Sequence, residues 1–253
     1  MTNISSSALF HFTPTHDRLF GILTSGFYPH YCFEECRIVD GANQSRPMFE
    51  NAIPMVCFCD IPLSQIKNHI QTYGYYGVGL SKDWGDRNRL NPVLYTTEFS
   101  IVSKSIDTII ESMIRSSDNL PLELRIAVFD LVRYAKPYVG GFRRNGKLIE
   151  NVKFYDEREW RYVPHVGSSI ARLLLRKEEF DDDAARARYD EKLRSETLSF
   201  EPSDIKYIIV KQETEISATI KALREANSEK YDQQVTEILT SRIITTDQIL
   251  QDL

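Results

Sequence analysis

Two glutamates and an arginine alternate in the stretch FYDEREWRYVP, which runs from Phe154 to Pro164. If this stretch is a β-strand, Glu157, Glu159 and Arg161 share one face. Carboxylates two residues apart on a strand lie about 7 Å from each other, close enough for one to raise the pKa of the other. An ionised carboxylate of this kind can bind a sugar hydroxyl and stabilise positive charge at the neighbouring carbon, as in glycosyl transfer. The pattern therefore indicates either the floor of a site or a solvated outer face of a sheet.

A second set of polar residues lies near the start of the chain. His11, Phe12 and Thr13 end the predicted strand ALFHFT, and a helix is predicted to begin just after them. A histidine at this point can offer its imidazole to the polar edge of a ligand, together with nearby backbone amides. The alternative is a packed histidine that is hydrogen-bonded to a backbone carbonyl.

Two adjacent tyrosines precede a strand in which glycines alternate. In YYGVGL, Tyr75 and Tyr76 stand next to backbone that a ligand can approach closely, and an aromatic ring can stack on a flat ligand. The sequence does not separate the two tyrosines, so either can fill this role.

The order of predicted elements is mixed, which is typical of an α+β protein. ALFHFT is predicted as a strand, with a following helix capped by Thr15 and ended at Gly26. Phe27 to Glu50 is predicted as a turn-rich passage, because it shows no clear periodicity. IPMVCFC is predicted as a strand that is buried on both faces.

The rest of the chain is predicted to be richer in helix. Asp60 is predicted to cap a helix that ends at Gly74. Apolar residues at helical spacing predict a helical insertion at about 100–138. A helix-rich C-terminal extension is expected at about 211–253. We expect one α+β domain across residues 1–253.

Composition excludes several classes of protein. The 253 residues are 42% hydrophobic and 26% charged with a net charge of −5, as in globular proteins and unlike general polyanion binders. No apolar run is long enough to cross a membrane and the N-terminus does not resemble a secretion signal, so we expect a cytoplasmic protein without a membrane partner. The four cysteines follow C-x3-C and C-x-C spacing, which predicts free thiols and no metal site. The basic patch FRRNGK is predicted to be a solvated loop.

Three longer segments resemble a known family when they are taken together and in order. They are FHFTPTHDRLFGILTSGFYPHY, IPMVCFCDIPLSQIKNHIQTYGYYGVGLSKDWGDRNRLNPVLY and EREWRYVP, and they look like the AbiGi family of abortive phage resistance proteins. This resemblance implies bacterial defence against phage. It also implies an antitoxin-like role with a cognate toxin or antitoxin as the partner protein.

The same order of segments more remotely resembles ADP-ribosyltransferases of the His-Tyr-Glu type. That resemblance implies a split mixed sheet with flanking helices, NAD as the substrate, and a protein or nucleic acid as the target. It implies that His11 with Thr13 holds the nicotinamide ribose and that Tyr75 or Tyr76 stacks on nicotinamide. Glu159 would then bond the ribose 2′-hydroxyl, with Glu157 as a helper.

The expected function is therefore an anti-phage effector that resembles an NAD-dependent ADP-ribosyltransferase. Such an active site needs His11 and Glu159 to converge on one pocket. Lys82 and Arg46 are expected to be either phosphate partners or surface charges. The alternative is a non-catalytic antitoxin or sensor that uses the same groove to bind a partner protein or a nucleotide.

Overall fold

The computed structural model of the protein describes residues 4–115, 120–144, 147–165, 172–226 and 232–252. In chain order its strands are β1 (Ala8–Thr13), β2 (His30–Val39), β3 (Ser45–Cys59), β4 (Tyr76–Ser81), β5 (Asn91–Pro92), β6 (Leu94–Thr96), β7 (Ala135–Pro137), β8 (Gly140–Arg144), β9 (Lys147–Val152), β10 (Glu159–Tyr162), β11 (Ile205–Val210) and β12 (Ile243–Thr245). Its helices are α1 (His16–Ser25), α2 (Lys67–Tyr73), α3 (Lys82–Arg87), α4 (Ile101–Arg115), α5 (Leu122–Arg133), α6 (Lys177–Asp181), α7 (Asp183–Lys192), α8 (Ile216–Ala226), α9 (Gln233–Thr240) and α10 (Thr246–Asp252).

The chain divides into two compact units, each built from separate segments. Unit 1 is Met1–Tyr28, Cys57–Asn91 and Thr197–Leu253, and unit 2 is Pro29–Val56 and Pro92–Glu196. The mixture of strands and helices confirms the α+β class. The single-domain organisation and the ADP-ribosyltransferase-like arrangement stay predictions.

Unit 1 contains a mixed sheet in the order β12-β11-β4-β1, followed by the last residues of β3. β12 and β11 are parallel, whereas β4 is antiparallel to both β11 and β1. Phe10 and Phe12 on β1 pack in an apolar core with Ile70 of α2, Ile209 of β11 and Ile249 of α10. The predicted bounds of β1 are confirmed.

The ends of α1 are the ones that the sequence predicts. The Thr15 side chain accepts a hydrogen bond from the backbone N–H of Arg18, and the helix ends at Gly26, which has a φ of 80°. A side chain at Gly26 would strain this left-handed backbone and would also meet the carbonyl of Leu198. Both local signals therefore act as expected.

Unit 2 contains the antiparallel pair β2–β3, against which α4 and α5 pack. Cys36, Ile38 and Met48 on the strands form an apolar core with Ile106 of α4 and Val128 of α5. The prediction of a turn-rich passage at 27–50 is wrong, since this stretch contains β2 and the first residues of β3. The pairing register shifts where Cys36 faces Phe49 and Arg37 faces Pro47, so Met48 on β3 is the extra residue of a bulge, which breaks the alternation at the start of β3. α4 and α5 lie inside the predicted helical insertion at 100–138.

The prediction that Asp60 caps a helix is also wrong. A single 3₁₀ turn at Leu63–Gln65 precedes α2, which begins only at Lys67. The Asp60 carboxylate instead accepts hydrogen bonds from the backbone N–H of Ser6 at 2.7 Å and from the Lys82 ammonium at 2.8 Å. Tertiary pairing has replaced the local cap, and it gives Lys82 a carboxylate partner.

FRRNGK falls on the hairpin of β8 and β9 and partly outside the described residues, so the predicted loop is largely strand. The helices in the described ranges are all too short or too polar to cross a membrane.

Candidate functional site

The two glutamates of the opening motif belong to different elements. Glu157 ends the 3₁₀ turn Phe154–Glu157, and Glu159 is the first residue of β10. Arg158 between them has a φ of 45°, a left-handed conformation that breaks the alternation of a strand. The placement of Glu157 on the strand is therefore wrong, although the structure still brings the two carboxylates together.

A lysine that the motif does not contain joins the two carboxylates. The Nζ of Lys136, on β7, donates to Oε2 of Glu157 at 2.9 Å and also to Oε2 of Glu159. Arg161 completes the group, because its Nε donates to Oε1 of Glu159 at 2.7 Å and its Nη2 to Oε1 of Glu34 at 2.8 Å. These five side chains, Glu34, Lys136, Glu157, Glu159 and Arg161, are called the buried ion network.

Neighbouring backbone and hydroxyl groups fix this network in place. Nη1 of Arg161 donates to the carbonyl oxygen of Arg133 at the end of α5, at 2.7 Å. The backbone N–H of Glu159 donates to the Tyr95 hydroxyl at 2.9 Å. The Lys136 ammonium also lies 4.6 Å from the centre of the Phe154 ring, and the face of the ring attracts its positive charge.

The network is buried, which rules out the solvated outer face as an explanation of the motif. Glu159 is 4% exposed, Lys136 is 7% exposed and Arg161 is 0% exposed. Charges are tolerated inside a protein only when they are paired and hydrogen-bonded, as these are. Trp160 and Tyr162, which alternate with them, are half-buried.

The carboxyl groups respond differently to this environment. Burial alone would raise the pKa of the Glu159 carboxyl, but the charges and hydrogen bonds of Arg161 and Lys136 hold it well below its usual range. Burial raises the pKa of the Glu34 carboxyl, and the Arg161 and Lys136 charges offset this only in part. Burial would lower the pKa of Lys136, yet the three glutamates raise it well above its usual value.

These pKa shifts determine the net charge of the network. Three carboxylates and two cations leave a net charge of −1 when all five groups are ionised. Glu34 is the member whose raised pKa favours taking up a proton, and its protonation makes the network neutral. Glu159 is the member that stays ionised.

The histidine of the predicted site lies in unit 1. The Nδ1 of His11 is 2.8 Å from the carbonyl oxygen of Cys57, and because a carbonyl only accepts, Nδ1 carries the proton and donates. The ring also meets the Phe27 ring edge-on, with 5.1 Å between the ring centres. These contacts fix the orientation of the imidazole. Phe12 lies in the apolar core, and Thr13 is buried and pairs with Tyr76 across β1 and β4.

The two candidate tyrosines have different surroundings. Tyr75 is 37% exposed, and the Lys211 ammonium lies 5.3 Å from the centre of its ring. Tyr76 is buried, and its hydroxyl donates to Oε1 of Glu215 at 2.7 Å. Burial and this hydrogen bond raise the pKa of Tyr76 to about 12. Tyr75 therefore presents the accessible ring, while Tyr76 is held by a carboxylate.

The structure thus brings the predicted residues together in two groups. Glu157 and Glu159 meet on Lys136 in unit 2, while His11, Phe12, Thr13 and Tyr76 occupy adjacent strands in unit 1. The convergence of His11 and Glu159 on one pocket stays a prediction.

Sequence reasoning missed three partners of Glu159 and Arg161, namely Glu34, Tyr95 and Lys136. Each lies at least 23 residues from its partner in the chain, so no local pattern points to it.

The two candidate phosphate partners, Arg46 and Lys82, are already paired with carboxylates. Arg46 donates to both carboxylate oxygens of Asp107, at 3.1 and 2.6 Å, in the two-pronged geometry typical of arginine. The four cysteines are free thiols, and the described residues contain no group of three or more His, Cys, Asp or Glu side chains placed to hold a metal ion.

One helix face of unit 2 exposes large apolar side chains. A groove of about 370 Å³ on α4 is lined by Ile101, Lys104, Ser105, Thr108 and Ile109, and we call it the α4 groove. Ile101 is 83% exposed, and Phe99 just before the helix is 78% exposed. Exposed apolar surface of this kind marks interaction sites in soluble proteins.

Comparison with known proteins gives a family match over most of the chain. Residues 25–211 match the family described as "Putative abortive phage resistance protein AbiGi, antitoxin". The abortive phage resistance protein AbiGi of Lactococcus lactis subsp. cremoris is 29% identical in an alignment of length 246, and the alignment covers 89% of this chain and 99% of that protein. No solved structure matches.

Proposed function

The chain belongs to the AbiGi family of abortive phage resistance proteins, and from that premise we propose that it acts as an antitoxin-like protein. In this proposal it binds a cognate toxin protein through the α4 groove. Anti-phage defence is the function that the family supports, and the antitoxin role rests on the family description together with the surface of unit 2.

The exposure of Ile101 at the α4 groove is the observation that carries this proposal. A large aliphatic side chain that is 83% exposed gains free energy when a partner covers it, at about 25 cal/mol for each Å² of apolar surface. Lys104, Ser105 and Thr108 line the same groove between Ile101 and Ile109, and they supply hydrogen-bonding groups beside the two apolar side chains. Mixed apolar and polar contacts are typical of protein–protein interfaces.

The test uses bacteria that carry the native locus and are challenged with phage. We expect the double variant Ile101→Glu, Ile109→Glu to lose both phage protection and the co-purification of a stoichiometric toxin partner, because it places two charges in the interface. Ile238→Glu is the matched control, since Ile238 on α9 is 47% exposed and lies outside the groove. Full protection and an intact complex with the double variant would contradict the proposal.

We propose ADP-ribosyl transfer from NAD as the second candidate function. The observation that favours it is the Glu159 carboxylate, which stays ionised although it is buried. This chemistry requires Glu159 to become accessible, because its carboxylate is 4% exposed and both of its oxygens are paired with cations. Glu159 then bonds the ribose 2′-hydroxyl while the bond to nicotinamide breaks, and it stabilises the oxocarbenium charge that develops.

The second candidate is tested by incubating the purified protein with labelled NAD and phage-infected lysate. We expect the wild type to release nicotinamide and to move label to protein or nucleic acid, and Glu159→Gln to abolish both. Because Glu159→Gln also removes a buried charge, Tyr75→Ala at the exposed ring serves as a second variant that leaves the ion network intact. Absence of nicotinamide release by the wild type would exclude this function and would leave the antitoxin proposal standing.

A further inference from the structure

Unit 1 contains a cavity of about 330 Å³ beside strands β11 and β12, and its lining residues are separate from the candidate catalytic and NAD-binding residues. Its lining includes Lys206 and Tyr207 from β11, Arg242 just before β12, and Ile243 and Ile244 from β12. We call it the β11–β12 pocket. Its volume falls at the lower end of the range of small-molecule sites.

A β-bulge builds one wall of this pocket. Successive residues of a regular strand point to opposite faces, yet the adjacent residues Lys206 and Tyr207 both line the pocket. The pairing of β11 with β4 shifts between Ile205, opposite Leu80, and Tyr207, opposite Gly79, so Lys206 is the extra residue of a bulge. Bulges re-aim side chains in this way, and they are frequent next to binding sites.

The tyrosine of the pocket is held in place by close packing. The Tyr207 ring lies 5.5 Å from the Phe10 ring, and its Cδ2 is 3.1 Å from the position that a Cβ at Gly79 would occupy. The glycine therefore gives the ring the space that it needs. A fixed aromatic face beside Ile243 and Ile244 offers an apolar wall to a flat group.

The pocket is lined by two cations, Lys206 and Arg242. In the described part of the chain neither of them forms an ion pair with a carboxylate. Arg242 instead donates from Nη1 to the backbone carbonyl oxygens of Ile205 and, at 3.4 Å, of Pro202, and these contacts fix its guanidinium. Backbone carbonyls do not neutralise a charge, so the pocket keeps two positive groups in a protein whose net charge is −5.

We propose that the β11–β12 pocket binds a phosphate monoester that carries a flat ring, as in a nucleoside monophosphate. The phosphate lies against Lys206 and Arg242, whose charge-assisted hydrogen bonds suit its oxygens. The ring lies against Tyr207 and the two isoleucines. This site does not depend on the proposed antitoxin or transferase function.

The experiment titrates the purified full-length chain with AMP, adenosine and inorganic phosphate by calorimetry. We expect AMP to bind at least tenfold more tightly than either of its two parts, because only AMP engages both the cations and the apolar wall. Lys206→Glu is expected to weaken AMP binding at least tenfold, since it places a like charge beside the phosphate. Lys206→Arg is expected to retain affinity within about threefold.

Lys221→Glu is the matched control, because Lys221 is an exposed lysine of α8 outside the pocket and the change in net charge is the same. It is expected to bind AMP as the wild type does. Equal affinity for AMP and inorganic phosphate would overturn the proposal. So would equal affinity for AMP and adenosine, or unchanged AMP binding by Lys206→Glu.

Discussion

Glu34 and Glu159 accept hydrogen bonds from the same guanidinium, at 2.8 Å from Nη2 and 2.7 Å from Nε of Arg161, yet their carboxyl pKa values move in opposite directions. The difference follows from Lys136. Its ammonium binds Glu159 directly, whereas Glu34 has Arg161 as its ion-pair partner and faces the negative charges of Glu159 and Glu157. One residue is thereby the permanent anion of the network, and the other is its proton acceptor.

Glu159→Gln is expected to lower the free energy of unfolding by about 3 kcal/mol, because it leaves Lys136 and Arg161 buried with too little negative charge. Urea denaturation at pH 7 measures this change. Asp156→Asn provides the matched control, since Asp156 pairs with Lys153 at the surface and its loss is expected to cost less than about 1 kcal/mol. Equal effects of the two variants would show that the network does not stabilise the fold.

Glu34→Gln is expected to change the unfolding free energy at pH 7 by less than about 1 kcal/mol, because it removes a carboxylate whose ionisation the folded state disfavours. The carboxamide oxygen that this substitution introduces can still accept the hydrogen bond from Arg161. Urea denaturation at pH 7 compares the variant with Glu159→Gln. A loss as large as that of Glu159→Gln would contradict the raised pKa of Glu34.

The two glutamates are also expected to give opposite pH dependence. Glu159, whose folded pKa is lowered, contributes stability above its unfolded pKa of about 4.3, and this is lost as pH falls through the folded pKa. Glu34, whose folded pKa is raised, contributes stability below about pH 4.3, and this is lost as pH rises through the folded pKa. Between pH 7 and pH 3.5 the advantage of wild type over Glu159→Gln should therefore shrink, and its advantage over Glu34→Gln should grow. The same sign for both variants would refute this assignment.

Tyr76→Phe is expected to lower the unfolding free energy by about 1 kcal/mol, because it removes a partly buried hydrogen bond to the Glu215 carboxylate. The neighbouring substitution Tyr75→Phe is expected to have an effect within about 0.5 kcal/mol, since the Tyr75 ring is exposed. Thermal denaturation of the two variants distinguishes the tyrosines. A larger loss for Tyr75→Phe would mean that the hydroxyl of Tyr75 is the one that matters.

Gly74→Ala is expected to destabilise unit 1 by more than about 3 kcal/mol. Gly74 has a φ of 137°, and a Cβ there would lie 2.2 Å from the carbonyl oxygen of Thr13. Gly21→Ala in the middle of α1 is the control, because no atom lies within 4 Å of the new methyl group and alanine favours helix by about 1 kcal/mol. The two variants should shift the melting temperature in opposite directions.

Local signals in the sequence predict the elements whose ends are set by local chemistry. β1 and α1 follow from an apolar run, a threonine cap and a glycine with positive φ, and all three act in the structure as they do in isolated segments. The helix cap predicted at Asp60 does not form, because Lys82, 22 residues later, binds the same carboxylate. β2 escapes detection because buried and exposed residues do not alternate regularly along it, and a bulge at Met48 interrupts the start of its partner β3.

Only those members of the ion network that are close together in the sequence can be predicted from it. Glu157, Glu159 and Arg161 stand out in the sequence, but Arg161 and Glu34 are separated by 127 residues. Long-range pairing of this kind leaves no trace in spacing or composition. The left-handed backbone of Arg158 is equally hidden, since arginine has no special preference for that conformation.

Arg161 on β10 donates hydrogen bonds to Glu159, to Glu34 and to the carbonyl oxygen of Arg133. Together these hydrogen bonds fix the position of β10 relative to its neighbours. Aliphatic side chains tolerate many neighbours, so a strand anchored by them alone can slip. A slip of two residues would move Glu159 about 7 Å away from Lys136. The charges of the network would then be left unpaired in the protein interior. The network therefore allows only one register for β10.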